Sequence, residues 1–195
     1  MNNCWKPQMT IQMDTIQINS DRLLLRPLQM EDADSIFLYR SNAEVNQYQG
    51  WIPKTISDVH DFITQKVSPE INQPGTWFQF AIIKKDNDEL IGDIGIHFLE
   101  SDDFLVELGC TLNKAHHGKG YAFEAMNEIV IYIFENLGKR RIVVSIDSRN
   151  QPSIRLIERL GFHKKGLVKE SSELNSEWVD DLVYAMLKDE WNASR

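Results

Sequence analysis

The residues with the clearest chemical use form the run HHGKGY at positions 116–121, between a predicted strand and a long predicted helix. Glycines allow backbone N–H groups to converge, and the amino end of a helix carries a partial positive charge. Such a loop can hold a phosphate or a pyrophosphate. A glycine turn that only begins the helix has the same composition, so this stretch alone leaves both interpretations open.

The spacing of the run disfavours other uses. A Walker loop needs four residues between its first glycine and the Gly-Lys pair, and then Ser or Thr, whereas Gly120 follows Lys119 here. A dinucleotide-binding loop needs a third glycine at the position of Phe123. His116 and His117 are adjacent, so they do not share a face as paired metal ligands usually do, and no metal site is expected.

The strand before the loop carries the best candidate for a general base. Alternation places Glu107 on one face of this strand and Cys110 on the other. Glu107 is an acid in an otherwise apolar strand and could accept a proton, although a solvated or ion-paired carboxylate is the alternative. Asp93 and His97 are second-choice bases. Together with the aromatic residues Tyr48, Trp51, Trp77 and Phe98 they form the candidate acceptor pocket. The alternative is that these side chains are core residues.

The elements that must position these residues alternate between strand and helix. Strands are predicted at 22–28, 76–84, 89–99, 103–112, 141–147, 161–169 and 177–187. Helices are predicted at 29–42, 57–67, 118–137 and 151–160, with Ser57 as the cap of the second. The order predicts an α+β fold with a mixed sheet and helices on both faces.

Composition narrows the class of protein. The 195 residues, 42% of them apolar, fit a single domain at 20–195 after a loose polar extension at 1–19. A net charge of −8 disfavours nucleic acid as a partner. The sequence shows neither an apolar run near the ~20 residues of a membrane span nor a secretory signal, so no membrane partner and a cytoplasmic location are expected. Cys4 and Cys110 do not suggest a disulfide scaffold.

Four segments in the same order resemble the GNAT superfamily of N-acetyltransferases, and most of all its ribosomal-protein N-terminal (Rim-type) branch. HHGKGYAFEAM (116–126) and NQPSIRLIERLGF (150–162) resemble the cofactor-binding motifs of the family. DRLLLRPLQMEDADSIF (21–37) and WVDDLVYAMLKDEW (178–191) resemble the opening and closing elements of the branch. The resemblance covers about residues 20–191. It implies a mostly antiparallel twisted sheet of about seven strands, and acetyl-CoA as co-substrate without a metal.

The resemblance also implies roles for individual residues. The pyrophosphate of CoA would bind the loop residues His117, Gly118, Lys119, Gly120, Tyr121 and Ala122. The pantetheine arm and the thioester oxygen would meet the strand at Cys110, Thr111 and Leu112. Asn150 and Ser153 match cofactor contacts of the branch. Because Glu158 stands where many members have a tyrosine acid, Ser153 is the candidate weak acid.

The expected reaction is acetyl transfer to a primary amine by direct attack in a ternary complex. The acceptor is either a protein N-terminal amine or a small molecule such as an aminoglycoside or polyamine. Because the tyrosine acid of many family members is missing, a different class of protein is the alternative, namely a non-catalytic CoA-binding regulatory module. The late strands could also pair between chains, so a homodimer is possible.

Overall fold

The computed structural model describes residues 16–174 and 177–193. Within these ranges one sheet contains β1 (Ile18–Asn19), β2 (Leu23–Pro27), β3 (Thr76–Lys84), β4 (Leu90–Phe98), β5 (Leu105–Leu112), β6 (Arg141–Asp147), β7 (His163–Leu174) and β8 (Glu177–Leu187). The strand order is β1-β2-β3-β4-β5-β6-β8-β7. Only the β5–β6 pair is parallel among these described strands. The predicted mixed, mostly antiparallel sheet is confirmed, with eight strands in place of about seven.

The additional strand lies at the end of the segment that was expected to be a loose extension. Ile18 and Asn19 pair with Leu25 and Leu24 of β2 at the edge of the sheet. Residues 1–15 of that predicted extension lie outside the described residues. Ile18 and Asn19 are therefore part of the sheet.

The helices are α1 (Ala33–Arg40), α2 (Ile56–Gln65), α3 (Tyr121–Ile131), α4 (Gln151–Arg159) and α5 (Lys188–Ala193). A short 3-10 turn precedes α1, and a π-helical turn (Tyr132–Asn136) continues α3. The predicted cap of α2 is wrong, because Thr55 accepts the amide of Asp58 and Ser57 lies inside the first turn. No helix in the described ranges is long and apolar enough to cross a membrane.

Two apolar clusters lie on opposite faces of the sheet. The larger contains Ala125, Met126 and Ile129 of α3 and Ile154 of α4, packed on residues from most of the strands. The smaller joins Ile36 of α1 and Val59 of α2 to Ala81 and Ile83 of β3. Helices therefore cover both faces, as predicted.

The parallel pair β5–β6 determines where the site lies. Its register runs only from Leu105 to Glu107 on β5, against 141–143 of β6. Beyond Glu107 the two strands separate, so the sheet opens in its middle at the carboxyl ends of both strands. Strands that separate leave backbone N–H and C=O groups available for a ligand.

Candidate active site

A cavity of about 900 Å³ occupies the opening between β5 and β6. Its wall contains residues 108–112 of β5, 144–147 of β6, the starts of α3 and α4, and residues 44, 45 and 47–49 after α1. Because α3 and α4 lie on one face of the sheet and α1 on the other, the cavity passes through the sheet. A ligand held on the α3 and α4 side can thus meet a second ligand arriving from the α1 side.

The glycine loop has the geometry that an anion requires. Gly118 and Gly120 have φ values of 73° and 83°, a region that strongly favours glycine. Gly120 is the residue before α3, and no side chain caps the helix there, so its first amides remain available. A Cβ added at Gly118 would meet nothing within 4 Å. The predicted loop residues therefore fit a pyrophosphate, and all of them except Lys119 are in the cavity wall.

The two adjacent histidines have separate structural partners. His117 Nε2 lies 2.8 Å from the carbonyl oxygen of Leu112. His116 is buried, and its Nε2 lies 3.0 Å from Glu89 Oε1. In residues 16–174 and 177–193, no group of three His, Cys, Asp or Glu side chains is arranged to hold a metal ion.

A cluster that the sequence did not suggest holds the loop from outside; we call it the Arg22 clamp, formed by Ser20, Arg22, Lys119, Tyr121 and Glu124. Glu124, in the first turn of α3, accepts the Arg22 amide at 2.8 Å and Arg22 Nε at 2.7 Å. It also accepts the Ser20 hydroxyl at 2.7 Å. Arg22 donates from NH1 to the Lys119 carbonyl at 3.1 Å, and its guanidinium carbon lies 4.3 Å from the centroid of the Tyr121 ring. The β1–β2 turn therefore fixes the loop and neutralises the Glu124 carboxylate.

The separated part of β5 contains the predicted cofactor strand. Cys110, Thr111 and Leu112 are all in the cavity wall. Burial, with the nearby Asp93 carboxylate, raises the pKa of the Cys110 thiol to about 12. A thiol of that pKa is a poor nucleophile at neutral pH, which disfavours a covalent acyl relay through Cys110.

The start of α4 also faces the cavity. Asn150 caps α4 by accepting the Ser153 amide at 3.2 Å, and both residues are in the wall. Glu158 accepts the hydroxyl of Tyr184 at 2.9 Å and is not a wall residue. Asp147, which the sequence did not suggest, is a buried wall residue whose pKa is lowered by its hydrogen bonds to Arg149.

Three members of the predicted acceptor pocket have other positions. Trp51 stacks on Phe62 with ring centroids 4.4 Å apart, beside the smaller apolar cluster. Phe98 is 2% exposed and belongs to the larger cluster. Asp93 is fully buried and is not a wall residue. Of the predicted aromatic residues, Tyr48 alone is in the wall.

Asp93 is not placed to act as a base, because its oxygens are already occupied. Tyr39 donates its hydroxyl to Asp93, and Arg40 donates from Nε at 3.1 Å and from NH2 at 2.5 Å. Gln79 donates its amide nitrogen to the same carboxylate. A carboxylate that accepts four donors in the core cannot take a proton from an incoming amine without breaking this network.

Glu107 shares a row with two other predicted residues. Trp77, His97 and Glu107 are direct neighbours across β3, β4 and β5, so their side chains share one face. The His97 and Trp77 rings stack with centroids 4.7 Å apart, and His97 Nδ1 lies 3.6 Å from Glu107 Oε2. These three residues are not wall residues, but Gly109, next along the same face of β5, is. Glu107 therefore borders the cavity on the side of α1 and α2.

Comparison with known proteins defines the family. The sequence profile of the acetyltransferase (GNAT) domain matches residues 22–163. The uncharacterized N-acetyltransferase p20 of Bacillus licheniformis is 33% identical over 173 residues, which cover 88% of this chain and 96% of that protein. The ribosomal protein uS5-alanine N-acetyltransferase of Escherichia coli (strain K12) is 28% identical over 127 residues, 65% of this chain and 66% of that protein. The structure of RimL, a ribosomal L7/L12 alpha-N-protein acetyltransferase in complex with coenzyme A, has a TM-score of 0.79 and 19% identity, and the match covers 90% of this chain and 99% of that one.

The chain belongs to the GNAT acetyltransferases. It is an acyl-CoA-dependent N-acetyltransferase with acetyl-CoA as co-substrate, and the predicted family is confirmed. Relatives of the Rim type are also found, at lower similarity in sequence and by fold. The roles of individual residues remain predictions.

Proposed function

We propose that the protein transfers the acetyl group to a primary amine by direct attack in a ternary complex, with Glu107 as the general base. The observation that carries the proposal is the cavity that passes through the sheet between β5 and β6. It connects the glycine loop on the α3 side with Gly109 on the α1 side. Glu107 lies two residues before Gly109 on the same face, about 7 Å along the strand.

The residues present match the proton transfers of this reaction. A lysine-like amine has a pKa near ~10.4, so a group must accept its proton as the nitrogen–carbon bond forms. Glu107 supports this role because it borders the cavity and is partly exposed, with His97 beside it. The carbon–sulfur bond breaks as the new bond forms, and CoA leaves as a thiolate. Since a thiol of this kind has a pKa of about 8.5, departure needs little help, and Ser153, a wall residue, is the predicted weak acid.

For the acceptor we propose a protein N-terminal amine. The support is the Escherichia coli relative, whose name gives an alanine of ribosomal protein uS5 as its substrate. On the α1 side, Tyr48 and Gln49 form part of the cavity wall. An extended peptide end could enter there, and small amines serve as the comparison in the assay.

The test combines substrate screening with one substitution. Release of CoA thiol is measured with N-terminal peptides, aminoglycosides and polyamines, and the best acceptor is then used with Glu107→Gln. We expect this variant to bind acetyl-CoA normally while turnover falls by roughly 10²- to 10⁴-fold, the usual contribution of a general base. The pH optimum should rise, because the amine must then lose its proton to solvent.

A matched control is Glu70→Gln, which makes the same change at an exposed residue away from the cavity. It should leave turnover and its pH profile unchanged. Wild-type turnover in Glu107→Gln at every pH would remove Glu107 as the base. Absence of thiol release with every amine would refute transfer itself.

A further inference from the structure

Two glycines face each other across β4 and β5 beside the cavity. Gly95 and Gly109 are register partners. A Cβ added at Gly109 would meet nothing within 4 Å, whereas one at Gly95 would lie 2.7 Å from Gln79 Oε1 and 3.0 Å from Trp77 Cε3. The surface over Gly109 is therefore open, and the amide oxygen of Gln79 borders it on the Gly95 side.

The orientation of the Gln79 amide follows from its buried partner. Gln79 is 5% exposed, and its Nε2 donates to Asp93. A carboxylate held by Tyr39 and Arg40 only accepts hydrogen bonds, so the NH₂ group of Gln79 must face it. The carbonyl oxygen is thereby directed over Gly95. Asp93, which is unsuited to be a base, determines where a second hydrogen-bond acceptor points.

We infer that Gln79 binds and orients the amine nucleophile by accepting one of its N–H groups, and that Asp93 is a positioning residue acting through Gln79. The inference rests on the proposed function. Cβ positions of register partners lie about 4.5–5.5 Å apart. Gln79 Oε1 would lie 2.7 Å from a Cβ at Gly95 and more than 4 Å from one at Gly109, so an amine nitrogen reaches this oxygen when it lies over Gly109 on the side of Gly95. A neutral primary amine has two N–H groups. One meets Gln79 and the other meets Glu107 directly or through water, which leaves the lone pair free to attack.

This arrangement gives the site a chemical preference. An N-methylated amine retains one N–H group, so it can satisfy only one of the two acceptors at the moment of attack. A buried hydrogen-bond acceptor that is left without a donor costs more free energy than the loss of a hydrogen bond exposed to water. The enzyme should therefore prefer primary amines to their N-methyl counterparts.

The experiment measures kcat/KM for a primary amine and its N-methyl counterpart in wild type and in Gln79→Met. Methionine preserves the length of the side chain and removes its oxygen, while Asp93 retains the three donors from Tyr39 and Arg40. We expect kcat/KM for the primary amine to fall roughly threefold to tenfold, as for the loss of one hydrogen bond. The preference for the primary amine should shrink by the same factor, and KM for acetyl-CoA should not change.

Asp93→Asn should reproduce the loss of preference, because an amide beside Gln79 no longer enforces its orientation. The control is Gln73→Met, the same change at an exposed glutamine before β3. Equal loss of activity for both amines in Gln79→Met, with the preference intact, would show a merely structural role and overturn the inference. A wild-type enzyme that uses both amines equally would also overturn it, whether or not the variants fold. No transfer by wild type to any amine would instead overturn the proposed function, and this inference with it.

Discussion

Replacing Arg22 with alanine should weaken the binding of acetyl-CoA, although Arg22 is not among the residues proposed to contact it. The Arg22 clamp holds the glycine loop through the Lys119 carbonyl, and it neutralises Glu124 in the first turn of α3. In Arg22→Ala the loop loses this restraint. The Glu124 carboxylate is left beside the amides proposed to bind the pyrophosphate, where a negative charge opposes a negative ligand.

The size of the effect can be bounded. Two unit charges one helical turn apart, about 5.4 Å, repel by about 0.8 kcal/mol in water and about 3 kcal/mol at an effective dielectric constant of 20. The Arg22 side chain is 47% exposed and that of Glu124 16%, so the lower half of this range applies. A loss of about 1–2 kcal/mol corresponds to an increase in Kd of roughly 5- to 30-fold.

Titration calorimetry with CoA on four proteins separates the two contributions: wild type, Arg22→Ala, Glu124→Gln and the double variant. If charge dominates, Glu124→Gln should restore most of the affinity of Arg22→Ala, and added salt should shrink the defect. If the loop restraint dominates, the double variant should stay weak at all salt concentrations. Arg26→Ala is the control, because Arg26 lies on β2, which follows Arg22, but pairs with Asp32.

Wild-type affinity of Arg22→Ala for CoA at low salt would refute the reasoning. It would mean that the loop keeps its form without the clamp, and that the Glu124 charge does not reach the ligand. A changed KM for the amine with unchanged CoA binding would also contradict the prediction. The Arg22 clamp lies on the α3 side of the sheet, whereas the amine is proposed to arrive from the α1 side.

Two further predictions concern Arg40 and Cys110. Arg40→Met should lower the free energy of unfolding by about 3–5 kcal/mol, because it leaves the Asp93 carboxylate without its charged partner. For a chain of this size that is a fall in Tm of roughly 6–20 °C by calorimetry, and a fall below about 3 °C would contradict it. In a Cys4→Ser background, Cys110 should react with iodoacetamide at pH 8 roughly a thousandfold more slowly than free cysteine, because burial raises its pKa to about 12. Rapid labelling of the folded protein would show that the thiol is not held in this state.

The sequence was most informative where structure is local. The strands at 76–84, 141–147 and 177–187 have the predicted bounds, because their apolar patterns end at clear turn or helix residues. The true cap of α2 is also marked locally, since Thr55 and Asp58 form a capping box two residues before and one residue after the predicted cap Ser57. β1 has only two residues, and its pairing with β2 leaves no pattern in the sequence.

The glycine loop could be predicted for the same reason. A strand, two glycines and a helix lie consecutively in the chain, so the uncapped amides at the start of α3 follow from neighbouring residues. The Arg22 clamp could not, because Arg22 and Glu124 are 102 residues apart. Nothing in the local sequence of either residue marks them as partners.

Asp93 and Gln79 show why acid–base reasoning from sequence reaches only part of a site. From its residue type alone, the carboxylate of Asp93 is a candidate general base. The hydrogen-bond donors that prevent this role are Tyr39 and Arg40 of α1, which lie 54 and 53 residues away in the sequence. Gln79 has no charge and draws no attention in a strand of apolar residues. Its proposed importance depends on the register of three strands, which brings Asp93 to its nitrogen and the Gly95–Gly109 gap to its oxygen. An ionisable side chain can be proposed as a catalytic group from its residue type. A side chain that orients a substrate can be recognised only once the neighbours that fix its direction are known.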